Sequence, residues 1–283
     1  MQMIDKHGMN QTGKAILANP FRYETTTPKF SNIKSASVSD MLLKLGWEAS
    51  SMKAVRTRDN ARQVFARHLV SYSKIGESNS RQVGQTLPRI NLLNANDGTS
   101  SFQLYAGFFR LVCLNGLITG TSFQVQKINH STHPEKIGER IANSVASIET
   151  DLRRAESVID TWSQIETTDE NALNLARLAV NLRWQVPAGI ELNENQKRIR
   201  EDRANDLLGV RRHEDKGNKL WEVFNRIQEN TMRGGFYAVN EFLTDAQGNS
   251  PSYRRVRPIG SIVEQVRINR ALWDGAEALA LVG

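Results

Sequence analysis

The chain is poor in the features that announce a particular chemistry. One cysteine in 283 residues excludes an internal disulfide and fits a reducing compartment. No apolar run approaches the roughly 18 residues that cross a bilayer, and no charged-then-apolar leader opens the sequence. These absences lead to the expectation of a cytoplasmic protein with no membrane partner. The phosphate-binding Gly-x-x-x-x-Gly-Lys, the dinucleotide fingerprint and the nucleophile elbow are missing. So are a Ser-His-Asp ordering and a paired-aspartate motif. The chain is therefore expected to act without a cofactor and, on balance, without catalysis. Internal repeats and low-complexity tracts are also lacking.

What is present is an ordinary globular composition, 39% hydrophobic and 24% charged, with an uneven charge. The net charge of +7 comes entirely from the first part of the chain: residues 1–133 carry 16 Lys and Arg against 7 Asp and Glu. The remainder carries 21 against 23. An asymmetry of this size argues for a polyanionic partner, though it says nothing about fold.

The patterning predicts an α+β class. Residues 1–35 read as a polar arm, extended or partly ordered, and 36–283 as a single α+β domain, β-rich over 60–130 and helix-rich over 134–283. Ser37-Val38-Ser39-Asp40 offers an N-cap to a short helix ending near Gly46. Asn94-Ala95-Asn96-Asp97-Gly98 lies between two apolar runs, a strong hairpin signal. The run Leu111-Val112-Cys113-Leu114 reads as a strand entering a core. From Pro134 the period changes. Ile137, Ile141, Val145, Ile148, Leu152, Ala155, Ile159 and Trp162 recur every three or four residues, which predicts one long amphipathic helix. Further helices are predicted over 171–185, 191–213, 218–232 and 262–282, packing with the long helix against a central antiparallel sheet.

Two basic clusters stand out. Lys53, Arg56, Arg58, Arg62, Arg67 and Lys74 are interleaved with Phe65 and Tyr72, and Tyr253-Arg254-Arg255-Val256-Arg257 follows a polar turn. Cations that hold phosphates beside aromatics that stack bases are the device of single-strand binders. The competing explanation is a solvated face whose arginines snorkel or pair with acids. His130 and His133, with Cys113 or Asp97, could be read as metal ligands. Two histidines at i, i+3 before a proline more often serve as caps, and Cys113 between Val112 and Leu114 more often points into a core. No metal is therefore expected.

Several segments resemble a family found mostly on phages, prophages and plasmids, the phage/plasmid-like proteins of domain of unknown function 932. The resemblance rests on Asn96-Asp97-Gly98-Thr99-Ser100, on Arg110-Leu111-Val112-Cys113-Leu114-Asn115, on Ile128-Asn129-His130-Ser131, and on the aromatic segment from Thr231 to Phe242. It covers about half of the chain and skips roughly the first 80 residues. It implies a mobile-element context and no particular reaction.

Three readings follow. The first is a phage or plasmid nucleic-acid-binding protein that coats or anneals single-stranded DNA in replication or recombination, acting alone or as a homo-oligomer. The nine cations above would bind phosphate, and Phe65, Tyr72 and Tyr253 would stack. The second is an interaction protein that binds a host or phage protein through Trp162, Trp184 and Trp221. The third is a metal-dependent hydrolase or nuclease built on His130, His133 and Asp97.

Overall fold

The turn at Asn94–Gly98 organises one half of the fold. In a computed structural model describing residues 11–19, 21, 23–59, 61–76, 86–110, 117–118, 126–130, 134–239 and 253–281, β3 (Thr86–Asn94) and β4 (Phe102–Arg110) form the hairpin around it. They pair antiparallel with Ile90 opposite Ala106 and Leu92 opposite Leu104. Gly98 takes φ +75° in the turn, a conformation that a residue with a Cβ adopts only with strain. The sheet continues outward through β2 (His68–Lys74) to β1 (Trp47–Ala54), in the order β1-β2-β3-β4. The short β5 (Leu117–Ile118) and β6 (Gln126–Ile128) both lie beside β4.

The asparagines of the turn do more than reverse the chain. Asn94 and Asn96 are buried. Asn94 Nδ2 donates to Ile33 O at 2.9 Å and to Ser35 Oγ at 3.0 Å. Asn96 Nδ2 donates to Ile16 O at 3.1 Å. These bonds satisfy carbonyls that burial would otherwise leave unpaired. They tie the described residues of the N-terminal segment to the sheet. Gln11–Ala18 form α1, with Ile16 and Leu17 in the core. The next helix, α2 (Ser35–Lys44), begins two residues before the predicted cap, with Lys34 at the N-cap position.

The predicted long helix is α3 (Pro134–Trp162); its buried apolar residues Ile141, Val145, Ile148, Leu152, Ala155, Ile159 and Trp162 all belong to the predicted stripe, while Ile137 of that stripe is half-buried. Trp47 Nε1 donates to Glu149 Oε1 at 3.1 Å, joining the helix to β1. Four more helices follow: α4 (Asp169–Arg183), α5 (Glu194–Leu207), α6 (Leu220–Arg233) and α7 (Ile262–Ala280). Thr168 accepts from Asn171 N to cap α4, Asn193 and Gln196 form a capping box on α5, and Ser261 accepts from Glu264 N at the start of α7. Trp162, Trp221, Phe224 and Trp273 meet at centroid separations of 4.5–6.3 Å and form the aromatic centre of this helical half. A two-stranded ribbon of β7 (Tyr237–Ala238) and β8 (Arg254–Arg255) completes it.

The fold class is thus α+β, an antiparallel sheet with a long helix and further C-terminal helices. The sequence reading placed one domain over 36–283. The contacts fall into two compact units, one drawn from Met1–Leu117 and Phe123–Arg154, the other from Ile118–Ser122 and Ala155–Gly283. The predicted strand at Leu111–Leu114, with Cys113, lies outside the described residues. Among the described residues, no helix is long and apolar enough to cross a membrane.

His68 gives the first unit a pH-dependent stability. Fully buried, its Nε2 lies 2.8 Å from Ser35 Oγ and its Nδ1 2.9 Å from Ala66 O. Burial pushes its pKa down to about 4, and the hydrogen bond to Ala66 O opposes this only in part. The unfolded chain takes up the proton near pH 6.5, so the stabilisation is complete above that pH and is lost as pH falls from about 6.5 toward 4. A shift of this size corresponds to roughly 3 kcal/mol. Thermal unfolding is expected at clearly lower temperature at pH 5 than at pH 7.5, and His68→Gln should flatten that dependence. An unchanged pH profile in the variant would show that another group carries it.

Candidate nucleic-acid interface

The first basic cluster divides when folded. Val55 N donates to Arg67 O at 2.9 Å, continuing the β1–β2 ladder, and the chain then runs through Arg56 and Arg58 into a 3-10 turn at Ala61–Phe65. Arg56, Arg58, Arg62 and Arg67 therefore gather at one end of the sheet. Lys74 sits at the other end of β2, opposite Trp47 and about 20 Å along the strand. There its Nζ lies 5.6 Å from the Trp47 ring. Lys53 is half-buried on β1 opposite Leu69, and burial lowers its pKa.

Tyr72, expected to stack on bases, is corrected by its place in the sheet. It is 0% exposed, with its hydroxyl 2.7 Å from Ser39 Oγ, and burial raises its pKa. Phe65 is half-buried against Tyr23, with ring centroids 5.1 Å apart.

The second cluster assembles further than its sequence suggests. In the β7–β8 ribbon Tyr237 pairs with Arg255 and Ala238 with Arg254. Directly opposed residues of an antiparallel ladder share a face, so Tyr237 stands beside Arg255. Tyr253, two residues before Arg255, follows the same alternation. Tyr237 is 62% exposed and Tyr253 70%. Arg254, Arg255 and Arg257 are exposed too, and with Arg233 and Gly235 they line a concavity of about 940 Å³.

The ribbon is anchored on the end of α6. Gly235 N donates to Val256 O and Val256 N to Phe236 O, both at 2.8 Å. Gly234 takes φ +58°, and a Cβ there would lie 2.6 Å from Val256 O, so the approach of ribbon to helix requires glycine. Further guanidiniums converge on this helix end, whose carbonyls carry the negative end of the dipole. Arg183 donates to Thr231 O and Arg257 O, and Arg211 to Asn230 Oδ1 and Gly234 O. Arg183 and Arg203 both lie over the Trp184 ring, at 4.6 and 4.5 Å. Burial pushes the Arg183 pKa down to about 10, and Arg203 adds repulsion, which still leaves it charged at neutral pH.

Glu229 is the carboxylate at the centre of this arrangement. Its side chain is 2% exposed and accepts from Arg212 at 2.6 and 2.7 Å and from Arg233 at 2.6 Å. Burial acts to raise its pKa, and the bonds from Arg212 and Arg233 outweigh that and hold it below the usual range. Nothing in the local sequence marks Tyr237, Arg211 or Arg233 as partners of Tyr253–Arg257. Only the ribbon register and the helix end bring them together.

The residues of the other two readings lie elsewhere in the fold. Trp162 and Trp221 are 1% and 7% exposed in the aromatic core, and Trp184 is covered by guanidiniums. His130 is buried, stacked on Phe30 at 4.4 Å, with Nδ1 3.2 Å from Ser31 O. Asp97 accepts from Thr99 N and Oγ1 within its own turn. His133 lies outside the described residues. Among the described residues there is no group of three His, Cys, Asp or Glu side chains that could hold a metal ion.

Comparison with known proteins supplies a family. The sequence profile of DUF932, a domain of unknown function, matches residues 24–273, well ahead of the roughly 80th residue where the motif resemblance began. Two curated relatives from Escherichia coli (strain K12), UPF0380 protein YafZ and UPF0380 protein YfjQ, are each 30% identical over 258 residues. Each alignment covers 91% of this chain and 85% of the relative. No solved structure matches the chain. The chain belongs to the DUF932 family.

Proposed function

We propose that this protein binds single-stranded DNA on the β7–β8 face of its helical unit, acting by contact rather than catalysis in the replication or recombination of mobile DNA. The observation that supports this most is a concavity of about 940 Å³ lined by Arg233, Arg254, Arg255 and Arg257, with Tyr237 and Tyr253 exposed on the ribbon face of Arg255. Guanidiniums bind phosphate oxygens with directed, charge-assisted hydrogen bonds. Aromatic faces stack on any base. A ribbon with both on one surface suits an unpaired strand, whose bases are free to stack. A duplex hides those faces.

The first test is fluorescence anisotropy of a labelled single-stranded oligonucleotide. With four arginines on phosphates, affinity should fall by about 50-fold between 50 and 200 mM salt. Arg254→Glu, Arg255→Glu and Arg257→Glu together should remove the binding and leave the unfolding temperature near that of the parent, because all three are exposed. Binding that survives the triple reversal would take this face out of the account.

Tyr237→Ala and Tyr253→Ala should each weaken binding by about tenfold without flattening the salt response, since one stacked base contributes roughly 1–3 kcal/mol. Equal loss of affinity for duplex and single strand would contradict the stacking role.

Glu229→Gln removes the charge that Arg212 and Arg233 share. It should cost about 3 kcal/mol of stability, seen by denaturant unfolding. An unaltered midpoint would show that the helix end holds its arginines without the carboxylate.

A further inference from the structure

The sheet end of the first unit holds a second cationic feature, different in form from the ribbon face. Three chain segments close around it. Val55 N bonds Arg67 O at 2.9 Å, Asn96 N bonds Phe65 O at 3.1 Å, and Gln63 Nε2 bonds Val55 O at 2.8 Å. Between them lies a concavity of about 480 Å³ with Arg58, Arg62 and Arg67, the carboxylates Asp59 and Asp97, and an apolar patch at Val55 and Ala66. Its size is that of a small-ligand site.

Its two carboxylates leave the three arginines with a positive charge in excess and take little of their hydrogen-bonding capacity. Asp59 Oδ1 accepts from Ala61 N at 2.8 Å. Asp97 Oδ1 accepts from Thr99 N at 3.0 Å and from Thr99 Oγ1 at 2.6 Å. Both therefore serve turns. The remaining contact, Arg62 Nη2 to Asp97 Oδ2, is 3.9 Å long, beyond hydrogen-bond distance. Arg67 is fixed by one bond, Nη2 to Thr99 O at 2.6 Å, and its Nε is buried with no hydrogen-bond partner. A buried guanidinium N–H without an acceptor is costly unless something else supplies one. Arg58 is exposed. At the rim the Arg62 guanidinium lies 4.9 Å from the Tyr23 ring centre, and Tyr23 leans on Phe65.

We infer that this concavity binds one nucleotide bearing a phosphomonoester, either free or as the phosphorylated end of a strand. The three guanidiniums match a doubly charged terminal phosphate, which offers more acceptor oxygens than the diester inside a strand. Asp97 Oδ2, whose nearest cation stands 3.9 Å away, accepts from a sugar hydroxyl. The apolar patch at Val55 and Ala66 offers a surface to the base. At about 480 Å³ the concavity has room for one nucleotide. The inference uses residues of the first unit alone and stands apart from the single-strand reading of the ribbon.

The test is calorimetric titration of the full chain carrying Arg254→Glu, Arg255→Glu and Arg257→Glu, so that the ribbon cannot contribute. The probes are deoxyadenosine monophosphate, deoxyadenosine, inorganic phosphate, and a short oligonucleotide with and without a 5′ phosphate. The monophosphate is expected to bind at one site per chain, at least about tenfold tighter than phosphate, with no heat from the nucleoside. Arg67→Gln and, as the exposed and structurally neutral variant, Arg58→Gln should each weaken it by about tenfold. Preference for the phosphorylated over the unphosphorylated oligonucleotide assigns the site to strand ends. Binding of the monophosphate but neither oligonucleotide assigns it to free nucleotides. Phosphate binding as tightly as the monophosphate, no binding at all, or full affinity in both arginine variants would each overturn the inference.

Discussion

A single buried carboxylate makes the arginine-rich end of the helical unit possible. Glu229 is almost wholly out of water, yet it accepts hydrogen bonds from Arg212 and Arg233. A buried charge is tolerated only when it is paired and hydrogen-bonded. Here the pairing also works in the other direction: the carboxylate lets two guanidiniums approach a helix end where Arg183 and Arg211 already bond the carbonyls of Thr231 and Gly234. Without it those cations would repel one another across the C-terminus of α6. With it, the glycine pair at 234–235 can receive the ribbon, and the ribbon carries the exposed arginines and tyrosines outward.

The sheet unit solves a similar problem with neutral groups. Its central turn buries Asn94 and Asn96, whose amides satisfy carbonyls of Ile33 and Ile16. Polar side chains thus fasten an N-terminal segment that has only a few apolar residues to contribute. The same turn sets Asp97 and Thr99 at the edge of the concavity near Arg67. Each unit therefore carries one cationic surface whose position is dictated by buried polar contacts nearby. The ribbon surface is the larger, with aromatic faces exposed beside it, and the sheet concavity has about half its volume.

What could be read in the sequence was what depends on local period. The stripe from Ile141 to Trp162 repeats every three or four residues and becomes one side of α3, because helical periodicity needs no distant partner. Asn96-Asp97-Gly98 becomes a hairpin turn for the same reason. β1 leaves no alternation in the sequence, because only Trp47 and Met52 of its eight residues are buried. Tyr72 was placed among the stacking residues on its nearness to Lys74 and Arg67, and nearness along a strand says nothing about which face a ring occupies. The sequence does not mark Tyr237 and Arg233 as partners of Tyr253–Arg257, because that relation depends on a ribbon register and a helix end. The sequence separation between them hides both.

The central claim is that single-stranded DNA lies across Tyr237, Tyr253 and the arginines of the ribbon. Photo-crosslinking of a single-stranded oligonucleotide to the full chain, with the adducts mapped by mass spectrometry, reads that contact directly. The account predicts adducts on the peptides that contain Tyr237 and Tyr253, suppressed as salt is raised. Adducts confined to other parts of the chain, or none at a concentration that saturates binding, would contradict it.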